Sequence, residues 1–61
     1  MNLLEIFRGK EVIVTTMKFS LSGFVVDEDS EFIKLEIPNH SSRFINRAHI
    51  IEIYEREKIK Y

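Results

Sequence analysis

Residues 22–37 read SGFVVDEDSEFIKLEI, and the fold turns on what the acidic centre of that stretch does. Two apolar runs, FVV (24–26) and FIKLEI (32–37), flank DEDSE (27–31). Side chains alternate along a strand. Leu21, Gly23 and Val25 therefore share one face of the first run, and Phe24 and Val26 the other. In the second run Ile33, Leu35 and Ile37 point inward while Lys34 and Glu36 point out. Asp and Ser favour turns, so the simplest role for the patch is to close a hairpin. A calcium loop is a poor fit, because no glycine follows Asp29. General acid–base chemistry needs two carboxylates facing one pocket with separated pKa values, and no nucleophile or cofactor loop accompanies these. No enzyme activity, resident metal or cofactor is expected.

Working outward, Gly23 interrupts a strand, where glycine marks a bend, a bulge or a close backbone approach. A small sheet curls into a barrel at such a point. Upstream, Val12, Ile13, Val14, Thr15 and Thr16 are β-branched and suit a strand, and Lys18–Ser20 allows a turn. Further back, Asn2 is an N-cap, Leu3, Leu4, Ile6 and Phe7 form an apolar stripe, and Gly9 stops the helix. Downstream, Pro38–Ser42 is a loop, Arg43–Asn46 a short strand, Arg47–His49 a tight connection and Ile50–Tyr54 a last strand. The prediction is a mainly β chain, a single domain over residues 1–61. It comprises a short helix at about 2–8, a strongly bent five-stranded antiparallel barrel at about 10–54 and a charged tail at 55–61.

Composition narrows the setting. A chain of 61 residues without cysteine has no disulfide or thiolate zinc site to compensate for a small core. Yet 44% of it is hydrophobic, so some apolar surface should meet another copy or a partner. The net charge is −1, whereas nucleic-acid modules usually carry a positive excess. Charge is nonetheless uneven, with Asp27, Glu28, Asp29, Glu31 and Glu36 in mid-chain and Arg43, Arg47, Arg56, Lys58 and Lys60 in the last third. No run approaches a membrane span, and the N-terminus is too short and too acidic for a signal peptide. The expected location is cytoplasmic, in a reducing compartment.

The helix followed by GKEVIVTT, then GFVVDED, then RFINRAHIIEI resembles the Sm/LSm family, Hfq-type proteins included. Gly23, Val25 and Asp29 match the spacing of its first motif, and FINRAHIIEI matches its second in shape. The resemblance covers about residues 2–54 and implies a bent five-stranded barrel. It also implies a homo-oligomeric ring of about five to seven subunits, in which strand four of one copy pairs with strand five of the next. Phe44, Ile45, Ile51 and Ile53 would then face a neighbour, and Gly23 and Asp29 would hold the loops. Two family positions differ here. Glu31 stands where the family stacks a base, and Ile33 where many members carry a base-reading Asn. With one extra loop residue Phe32 takes the stacking position.

The predicted RNA-binding set is Phe32, Asn46, Arg47 and His49. Phe19, Phe24 and Phe44 are also aromatic, and for Phe24 and Phe44 a core or interface place is expected. Arg47 is the better phosphate contact than Arg43, and His40 is expected at the surface. A ring-forming Sm-like module binding single-stranded RNA is the leading expectation. The alternatives are an Sm-like ring that has lost RNA binding and serves as a protein-interaction scaffold, and a peptide-binding SH3-like barrel.

Overall fold

The computed structural model describes residues 2–57. One turn of helix, α1 (Leu3–Ile6), precedes five strands: β1 (Val12–Thr16), β2 (Ser20–Glu28), β3 (Phe32–Glu36), β4 (Arg43–Asn46) and β5 (Ile50–Glu55). A 3-10 turn, Arg47–His49, joins β4 to β5. All neighbouring strands are antiparallel, in the order β4-β3-β2-β1-β5. The chain is thus mainly β, with a short N-terminal helix and five antiparallel strands. The sheet is not closed by hydrogen bonds, so β4 and β5 form its outer edges.

The bend lies within β2. Residues Ser20–Gly23 pair with β1, and Phe24–Glu28 pair with β3. Gly23 stands at the changeover. A Cβ there would lie 2.4 Å from the carbonyl oxygen of Glu36 and 3.1 Å from Leu35 Cγ, so only glycine lets β3 approach this closely. Two bulges add curvature. Val26 is the extra residue between Val25↔Leu35 and Asp27↔Lys34, and Ile51 is the extra residue between Thr16↔Ile50 and Thr15↔Glu52.

Alternation puts Val12 and Val14 of β1, Val25 of β2, Ile33 and Leu35 of β3 and Ile45 of β4 into one core with Leu3 of α1. Thr16 shares that face because its hydroxyl is satisfied locally. Oγ1 accepts from the backbone N–H of Lys18 and of Phe19, each at 3.2 Å, which shapes the β1–β2 turn.

A single helical turn cannot persist alone. The Asn2 side chain accepts from Glu5 N at 3.0 Å, while Leu3, Leu4 and Phe7 pack on the core. The helix is shorter than the expected 2–8, because residues 7–9 form a turn that exits through Gly9 at φ 71°. Ile37 lies beyond the end of β3 but still packs against the core. Neither aromatic expected in a core or interface is a core residue: Phe24 is half-buried on the other face of β2, and Phe44 is 68% exposed. The last strand runs one residue past Tyr54, and positions 58–61 of the expected tail lie outside the described residues.

Candidate functional site

Two tight turns sit against each other at one end of β3 and β4. In the first, Asp29 Oδ1 accepts from the backbone N–H of Glu31 and of Phe32, both at 2.8 Å. Those two bonds hold the Asp29 carboxyl below its ordinary pKa of 3.8, the Phe32 bond first and the Glu31 bond next, with a further push from the charge of Arg47. The turn delivers Phe32 to the start of β3 with its ring 38% exposed. In the second turn, Asn46 Oδ1 accepts from Ala48 N at 2.9 Å. This fixes the start of the 3-10 turn that carries His49.

Register brings the two turns together, because Phe32 lies directly opposite Asn46 on the neighbouring strand. Arg47 fastens them. Its backbone N–H donates to Glu31 O at 2.8 Å, and its guanidinium donates to Asp29 O at 3.1 Å. The same Nη1 lies 2.8 Å from Glu28 Oε2.

A groove of about 720 Å³ opens beside these turns. Phe32, Asn46, Ala48 and His49 line one part of it, and Met17, Lys18 and Phe19 enter from the β1–β2 turn. Arg43, Phe44 and Ile45 of β4 and Ile51 of β5 complete it with Thr16. Among the described residues no carboxylate lines it, although they include all ten acidic side chains of the chain. Two cations stack on exposed rings: the Arg43 guanidinium lies 5.5 Å from the Phe19 ring centre, and Lys34 Nζ lies 5.7 Å from that of Phe44. Of the eight large apolar residues left exposed among the described residues, five (Met17, Phe19, Phe32, Phe44 and Ile51) line this one groove.

Three of the four predicted RNA-binding residues, Phe32, Asn46 and His49, meet in the groove, and Arg47 does not line it. Arg43 lines the groove, whereas Arg47, expected to be the better phosphate contact, is ion-paired with Glu28. Ile33 is fully buried in the core. Of the four residues expected to face a neighbour, Phe44 and Ile51 are exposed and Ile53 is half-buried against the core. Ile45 is 4% exposed, so its side chain serves the core of its own chain.

Sequence reasoning missed Met17, Lys18 and Ile51 as groove residues. Ile51 is turned outward by the β5 bulge, and no local pattern announces it. A basic residue beside Phe19 was the one available signal for Lys18. The acidic patch divides its labour. Asp29 shapes a turn, Glu28 turns inward, and Asp27 Oδ1 accepts from Glu28 N. Among the described residues, no group of three His, Cys, Asp or Glu is placed to hold a metal ion. His40 is exposed on the Pro38–Ser42 loop and does not line the groove. No helix among the described residues is long and apolar enough to cross a membrane. Comparison with protein-family models, with curated proteins and with solved structures finds no match.

Proposed function

We propose that the protein is a ring-forming, Sm-like module that binds single-stranded RNA in the aromatic groove. The observation that carries this reading is the sorting of charge. In a chain of net charge −1, one groove collects Phe19, Phe32 and Phe44 with Lys18, Arg43 and His49 and, among the described residues, no carboxylate. Single-stranded nucleic acid asks for that combination. Bases stack on aromatic faces at about 1–3 kcal/mol each, and cations track the phosphates. Asn46 adds specificity to this scheme, because its Oδ1 is engaged by Ala48 N and its amide N–H groups remain to read acceptors on a base edge.

Ring assembly accounts for the outer strands. β4 and β5 each present unpaired backbone groups along one side, an aggregation hazard that pairing between successive copies removes. Phe44 on β4 and Ile51 and Tyr54 on β5 are exposed apolar residues; a seam along these strands covers part of that surface, which offsets the small core, and it leaves the groove at the junction between copies. The scaffold reading draws its support from Glu31, an exposed carboxylate on the turn before Phe32 that repels phosphate.

Fluorescence anisotropy with labelled oligo-U and oligo-A at two salt concentrations separates the two. Binding at micromolar concentration or tighter that weakens steeply as salt rises is expected, from counterion release. No binding to either oligonucleotide by folded protein would leave the scaffold reading.

A further inference from the structure

Glu28 is an acidic residue on a strand, and its side chain is only 7% exposed. Both carboxylate oxygens are occupied. Oε1 accepts from Leu4 N at 3.0 Å, and Oε2 accepts from Leu3 N at 3.1 Å and lies 2.8 Å from Arg47 Nη1 in an ion pair. One carboxylate therefore joins the first turn of α1 to the residue that fastens the Asp29–Phe32 turn to the 47–49 turn. A buried carboxylate deprived of its cation is strongly unfavourable. A phosphate taking Arg47 Nη1 would have to displace Glu28 and leave that charge uncompensated.

We infer that Glu28 is a positioning residue for the groove: its carboxylate holds Arg47, and through Arg47 the two turns that present Phe32, Asn46 and His49. The inference rests on the RNA-binding reading for its functional consequence, and it assigns phosphate contact to Lys18 and Arg43 in place of Arg47. It also makes the seat of α1 and the shape of the groove interdependent, since both depend on the same carboxylate.

Glu28→Gln keeps the shape of the side chain, Arg47→Gln shortens it, and each removes one charge of the pair. Their effects, alone and together, are read by oligonucleotide affinity across a salt series. Each single variant is expected to weaken binding about tenfold, with the double variant no weaker than either single one, because residues in one network are coupled. The slope of log K against log salt should stay at the wild-type value in both. Arg43→Gln should reduce the magnitude of that slope by about 0.7, the signature of one lost phosphate contact on a single strand. A reduced slope in Arg47→Gln, or tighter binding in Glu28→Gln, would mean that Arg47 touches phosphate and would overturn the positioning role.

A second readout needs no RNA. In amide NMR spectra of the folded variants, Glu28→Gln should shift Phe32, Ala48 and His49 in the same pattern as Arg47→Gln. Shifts confined to α1 in Glu28→Gln would reduce Glu28 to a helix anchor and sink the proposal. If wild-type protein binds no oligonucleotide, the RNA reading fails on that result, and the amide shifts still decide the positioning role.

Discussion

A methyl group at position 23 would have nowhere to go. It would meet a backbone oxygen, which cannot swing aside as a side chain can. Gly23→Ala is therefore expected to cost about 2–4 kcal/mol, and urea denaturation followed by circular dichroism measures it. Asp29 acts through charge. Its carboxylate is favoured in the folded chain, so the stability it contributes is fully present above the ordinary pKa of 3.8 and is lost as pH falls through the lower folded-state value. Urea midpoints should drop over that acid window in the wild type and less steeply in Asp29→Asn. An equal drop in both would assign the acid sensitivity to other carboxylates. Ile33 shows how a residue's place overrules its alignment. The resemblance puts a base-reading Asn at that position, but Ile33 is fully buried here. Ile33→Asn should destabilise the chain by about 3 kcal/mol or more, since a primary amide would be buried without partners. A stable variant with new base preference would refute that account.

At the scale of elements, the strands were legible because their periodicity is strong. VIVTT is β-branched throughout and folds as β1 with Val12, Val14 and Thr16 inward. The hairpin at the acidic patch was legible for a local reason too, since Asp29 bonds backbone groups two and three residues ahead of it. The length of α1 was not. Seven residues with a helical stripe promise two turns, but a helix this short has no stability of its own, and its extent follows from what packs beneath it. The bulges were equally hidden. Nothing in IIEIYE marks Ile51 as the extra residue, because a bulge arises from the mismatch between β5 and β1. That mismatch decides the groove, for it turns an apolar side chain outward beside Phe44.

For the whole molecule, the question is what covers the outer strands. Seven residues form the buried core among the described residues, and five exposed apolar side chains gather on one side instead of scattering. Ile53 cannot test assembly cleanly, because it packs against the core and a charge there would unsettle the fold. Phe44 can, being 68% exposed on an outer strand. Phe44→Glu should keep the circular dichroism spectrum and reduce the native mass from oligomer to monomer, as read by light scattering on a sizing column. A wild-type protein that is already monomeric would remove the ring, and a folded Phe44→Glu protein of undiminished mass would move the seam elsewhere.

The sequence by itself determined the mainly β class, the positions of the five strands and the hairpin turn at the acidic patch. These follow from alternation, β-branching and short-range hydrogen bonds, which act between residues close along the chain. It also marked Gly23 as a bend before any strand pairing was known. Tertiary structure alone decided that Arg47 joins Glu28 and not the groove, that Phe19 and Arg43 meet although 24 positions separate them, and that Lys18 and Ile51 complete the lining. Those outcomes depend on strand order and on two bulges, which set distances between side chains that the sequence leaves far apart. The fold was therefore written in local preferences, and the site in the geometry of pairing.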